Sequence, residues 1–86
     1  MRSSGMKTRV RKVHLDYAGA DGLPKPMEWF LAADGGGKPE LERRAREIFA
    51  RVFPEWTLRH CEVEDADMDV EGLQPAPGVE GVWMTG

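Results

Sequence analysis

Six carboxylates fall within the twelve residues CEVEDADMDVEG, Cys61 to Gly72, and no basic side chain accompanies them. Asp65, Asp67 and Asp69 alternate, as the first ligands of a calcium loop do. Such a loop needs oxygen ligands at positions 1, 3 and 5, a glycine at 6 and a bidentate glutamate at 12. Counted from Asp65, position 6 is Val70 and position 12 is Ala76, while Gly72 arrives two residues late. An extended chain holds same-face Cα atoms about 6.6 Å apart. It lines carboxylates up in a row, whereas a hard cation gathers its oxygens within about 2.5 Å. A calcium-responsive domain is therefore the third reading, behind two others.

The row suits a surface that meets cations. Those cations belong either to another molecule or to neighbouring strands of this chain. In the first case Glu62, Glu64, Asp65, Asp67, Asp69 and Glu71 form an acidic face for a basic surface of another protein. A dense acidic face can fill a groove built for phosphates and steer association at low salt. Trp83, near the C-terminus, is the residue type that anchors such contacts. In the second case Glu62 and Glu64 face Arg9, Arg11 or Lys12 as cross-strand pairs. Charges along an outer strand also guard it against pairing with other chains.

Other chemistry is poorly supplied. His60 and Cys61 are adjacent in an extended run and point to opposite faces, so they do not form a nucleophile and base pair. His14 reaches either only across a sheet. No serine lies beyond Ser4, and His14, His60 and Cys61 lack a recurrent zinc spacing. GGGKPE, residues 35–40, offers a glycine loop, a lysine and a helix start, which together can cradle an anion. Ala32 stands where a Walker glycine belongs and Pro39 where Ser or Thr belongs. Pro39 also removes an amide that would point at phosphate. The expectation is a non-enzymatic protein with no metal or cofactor.

Charge is unevenly spread. All 12 Lys and Arg lie in residues 1–59, beside 8 acids, while residues 60–86 carry the other 7 of the 15 acids, for a net charge of -3. The basic run Lys7, Arg9, Arg11 and Lys12 supports the second reading, a nucleic-acid-binding module. Overall acidity and the scarcity of aromatics free to stack on bases oppose it. Arg44, Arg46 and Arg51 each follow a glutamate by four residues, so a solvated, self-paired helix face accounts for them.

The elements that must position these residues follow from periodicity. Thr8 to Tyr17 alternates Val13, Leu15 and Tyr17 on one face, which predicts a strand. AGADGLPKP is a turn cluster. MEWFLAAD, residues 27–34, is apolar on both faces and predicts a second strand in a hairpin with the first. Leu41, Ala45, Ile48, Phe49, Val52 and Phe53 recur at helical spacing, between Pro39 and Pro54, and predict a helix over 39–52. Trp56 to Val63 predicts a third strand, with a bulge near Glu64–Asp65 where the alternation changes phase. GLQPAPG reads as a loop, and Val79, Val82 and Trp83 as a short fourth strand at an edge. The fold class is α+β: a small antiparallel sheet in ββαβ order, with one amphipathic helix packed on one face.

The 86 residues make one domain over 7–86, after a disordered leader over 1–6 in which Met1–Gly5 reads as a vector remnant. A chain of this size buries only about 60–65% of its unfolded surface. A single cysteine, no secretory pattern and a mean hydropathy of -0.51 predict an intracellular, cytoplasmic protein with no membrane span. The leading expectation is a protein-binding module, an inhibitor or regulator of a nucleic-acid-handling complex on the pattern of small viral proteins encoded by phages.

Overall fold

The computed structural model describes residues 9–33 and 37–85. The expected leader, Lys7, Gly35 and Gly36 lie outside the described residues. Six elements follow in order: β1 (Arg9–Ala18), β2 (Pro24–Ala32), α1 (Lys38–Val52), β3 (Thr57–Asp69), β4 (Leu73–Pro75) and β5 (Val82–Thr85). The α+β class, the β1–β2 hairpin and the single helix match the expectation. The strand count and order do not. The sheet has five strands in the order β3-β1-β2-β5-β4, each pair antiparallel.

Residues read as a loop, GLQPAPG, contain β4, and β5 lies between β2 and β4 instead of at an edge. A three-residue strand shows no periodicity, and Pro75 argues locally against one; proline is tolerated there because β4 is an edge strand. The same logic holds for Pro24 and Pro26, which sit inside β2 and not in the turn before it. β5 pairs only with Phe30 and Leu31, so the start of β2 has β1 alone as a neighbour. A missing N–H on the outer side breaks no ladder.

Three residues, 70–72, join β3 to β4, although these strands stand at opposite edges. Four strand spacings in a flat sheet measure about 19 Å. The chain from Asp69 to Leu73 reaches at most about 14 Å. The sheet is therefore curled. Gly72 makes the connection, with φ at 86° and the Leu73 N–H donating to the Val70 carbonyl at 3.0 Å. The glycine that comes too late for a calcium loop is the one this turn requires. Curvature also fits the burial of Val10 and Phe30, which alternate with the helix-facing residues.

The helix forms where the apolar stripe predicts it. Leu41, Ala45, Ile48 and Phe49 are buried, Gly37 is the N-cap, and Pro39 sits in the first turn. Phe53 closes the helix by donating its N–H to the Phe49 carbonyl at 2.8 Å, and Pro54 prevents continuation. The stripe packs on Val13 and Leu15 of β1, Trp29 and Leu31 of β2, Cys61 and Val63 of β3, and Val82 of β5. Aromatic rings close one end of this core. Phe49 lies 5.7 Å from Tyr17, 6.1 Å from Trp29 and 5.3 Å from Phe53, centroid to centroid. Trp56 is sandwiched between Tyr17 and Phe53, each 4.7 Å away. The helix covers one sheet face, so the opposite face carries His14 and Asp16 of β1, which alternate with the buried Val13 and Leu15.

Candidate protein-binding surface

β3 positions the acidic stretch. It is the longest strand, it stands at an edge of the sheet, and β1 is its single strand neighbour. Its pairing with β1 shifts twice. Val13 faces Val63 but Arg11 faces Asp67, so the expected bulge spans residues 64–66. A second shift lies between Asp16 and Tyr17. The first one decides which acids meet which cations.

Asp67 and Asp69 stand directly opposite Arg11 and Arg9. Arg11 donates from Nε to Asp67 at 2.8 Å, and Arg9 donates to Asp69 at 3.3 Å. Glu62 and Glu64 do not take these arginines or Lys12, contrary to the sequence expectation. Without the shift Lys12 would face Glu64, while Glu62 would still face His14. Glu64 instead lies diagonal to His14, whose Nε2 is 2.6 Å away, and His14 Nδ1 is 3.4 Å from Glu28 on β2. Only an imidazolium donates from both nitrogens; a neutral ring serves one carboxylate. Lys12 pairs with Glu28 at 3.5 Å. Asp65, inside the bulge, receives a hydrogen bond from Lys38 at 2.6 Å.

The carboxylates thus divide. Glu64, Asp67 and Asp69 are drawn to His14, Arg11 and Arg9 of β1. Glu62, Asp65 and Glu71 form an outer set. The Glu62 side chain is 71% exposed with His60 3.9 Å away, and the Asp65 side chain is 87% exposed despite Lys38. Glu71 is exposed, in the turn after β3. Six carboxylates are set against three permanent cations, Arg9, Arg11 and Lys38, which leaves the stretch negative. Exposed pairs of this kind add little to stability.

The hydrogen bond from Lys38, then its charge, holds the Asp65 carboxyl below the usual carboxylate range. The stabilisation from this pair is complete above the unfolded-state value of about 3.9. It is lost as pH falls through the lower folded value. A carboxyl-carbon NMR titration should place the Asp65 midpoint below about 3.9, and Lys38→Met should move it upward. An unmoved midpoint would show that Lys38 is not the cause.

The geometry gives a calcium loop no ligand set: residues 65–69 are extended, and each aspartate has its own cation. Among the described residues no three His, Cys, Asp or Glu side chains converge to hold a metal ion. The basic run Arg9, Arg11 and Lys12 is spent on Asp69, Asp67 and Glu28, which weakens it as a nucleic-acid surface. On the helix, Glu42 pairs with Arg46 as expected, but Glu40 and Glu47 both turn to Arg43. These two acids raise the Arg43 pKa, chiefly through the Glu40 hydrogen bond. Cys61 is buried on the helix side and His60 exposed on the other; burial pushes the Cys61 thiol up, away from reactive thiolate. No helix among the described residues is long and apolar enough to cross a membrane.

Trp83 is half-buried in β5, opposite Phe30 on one side and Pro75 on the other. The Phe30 row faces away from the helix, so Trp83 shares its face with His14, two strands away, and Glu64, three strands away. Its neighbour Val82 belongs to the main core. A chain ending at Gly78 should therefore lose its cooperative fold as read by circular dichroism; a truncated chain that still melts cooperatively would show that β5 is an appendage.

The roles of Lys38 and His14 had no signal in the sequence. Lys38 reaches Asp65 from the helix N-terminus, and His14 reaches Glu64 only because of where the bulge falls. No protein family matches the sequence, and neither curated proteins nor solved structures supply a match.

Proposed function

We propose that this protein acts by binding, docking the outer edge of β3 onto a basic surface of another protein. The carrying observation is the outer set of carboxylates, Glu62, Asp65 and Glu71, on or beside an edge strand. The inner acids are already occupied by Arg9, Arg11 and His14 and serve to hold β3 in register. Of the outer acids only Asp65 is held, by Lys38 at 2.6 Å, and its side chain is still 87% exposed. A row of carboxylates along a strand matches a cleft lined by Arg and Lys, such as one that otherwise receives phosphates. Trp83, on the helix-free face, is an apolar contact for the same partner. In this reading the protein is an inhibitor or regulator of a nucleic-acid-handling complex, of the phage type, and performs no catalysis.

The test is affinity capture from cells that encode the protein, with the wild type and Glu62→Lys/Asp65→Lys/Glu71→Lys as parallel baits. The expected result is a single identified protein with a basic cleft, held by the wild type and absent from the variant. Capture of the same proteins by both baits would refute the reading.

A further inference from the structure

We infer that a groove on the helix-free face, beside the second bulge of β3, binds a small phosphate monoester with a neighbouring hydroxyl, of the sugar-phosphate class. The groove has a volume of about 720 Å³ and is lined by Asp16, Pro24, Lys25, Pro26, Arg59 and His60. It lies outside the acidic stretch and does not depend on the protein-binding role.

Arg59 and His60 are consecutive, and in a regular strand they would face opposite sides of the sheet. Both line this groove. The register explains why. Asp16 faces His60 and Tyr17 faces Leu58, so Arg59 has no opposite residue in β1. An extra residue of this kind re-aims its side chain, a device often found beside functional sites. Here it brings Arg59 and His60 to one wall of the groove.

Arg59, like Arg51, differs from the four arginines that are tied to carboxylates. Arg9, Arg11, Arg43 and Arg46 each have a carboxylate partner. Among the described residues Arg59 has no ion pair or hydrogen bond. Lys25, across the groove, has only Asp21 at 3.8 Å. The guanidinium fork suits two phosphate oxygens, with His60 and Lys25 as further donors.

Asp16 sets the rest of the ligand. A carboxylate among these donors repels a polyanion and accepts a hydrogen bond, so it selects a ligand that places a hydroxyl near its phosphate. Pro24 and Pro26 offer apolar walls without donors, against which a carbon skeleton packs.

The experiment is amide NMR on the full chain, titrated separately with ribose 5-phosphate, inorganic phosphate and ribose. Ribose 5-phosphate should shift the Asp16, Lys25, Arg59 and His60 signals, saturating near about 1 mM or below. Inorganic phosphate should bind the same residues about tenfold more weakly, the worth of one added hydrogen bond, and ribose alone should shift none. Arg59→Gln should weaken ribose 5-phosphate by about tenfold or more with the remaining spectrum unchanged. Asp16→Ala, which removes the acceptor, should bring the two phosphates to similar affinity. Unshifted groove signals, equal shifts at Arg43 and Arg46, or unaltered binding by Arg59→Gln would each overturn the assignment.

Discussion

Phe49→Ala should lower stability by about 3–5 kcal/mol, the usual cost of removing a buried aromatic ring. The ring is 1% exposed and is the meeting point of helix, sheet and aromatic end-cap, with Tyr17, Trp29 and Phe53 around it. Three neighbours on different elements cannot close in together on the space it leaves. A domain of this size has a total stability on the order of 4–13 kcal/mol, and a thin core puts it toward the lower end. The variant should melt at least about 15 °C lower or fail to fold. Leu23→Ala is the control: Leu23 is 62% exposed at the hairpin turn, and its loss should stay within about 0.5 kcal/mol. Denaturant unfolding of both variants checks the pair. A Phe49→Ala cost below about 1 kcal/mol would mean that the core is not organised around this ring.

Much of the fold was legible because it rests on repetition. Leu41, Ala45, Ile48 and Phe49 share a helical face, and Val13 and Leu15 alternate; no other arrangement buries both sets at once. The bulge at 64–66 was legible too, because the alternation of Cys61 and Val63 breaks in sequence where the pairing slips in space. What escaped had no repetition to carry it. β4 is three residues long and ends in proline. Its place depends on β5, which depends on the exposed side of Phe30 and Leu31 in β2. The acidic site divided in the same way. Its residues were evident from composition, but their partners were not. A two-residue shift in register moves Arg11 from Asp65 to Asp67 and Arg9 from Asp67 to Asp69, and sequence offers no means of counting that shift.

That division reshapes the mutational test of binding. Reversing Asp67 would set a second cation beside Arg11, whose side chain is only 16% exposed, and would loosen β3 whether or not a partner exists. The outer carboxylates avoid that confusion. Among the described residues Glu62 has only His60, 3.9 Å away, Glu71 has no ion pair, and Asp65 loses only an exposed one, so their reversal should leave the melting temperature close to that of the wild type. Against a basic cleft the same change replaces attraction by like-charge contact, which costs several kcal/mol.

The decisive measurement is a calorimetric titration of the captured partner with wild-type protein and with Glu62→Lys/Asp65→Lys/Glu71→Lys, at two salt concentrations. The wild type should bind more weakly as salt rises, and the variant should lose at least about 100-fold in affinity, or about 2.7 kcal/mol, while its melting temperature stays close to that of the wild type. Equal affinity of the two proteins, with both folded, would contradict the assignment of the β3 edge as the binding surface.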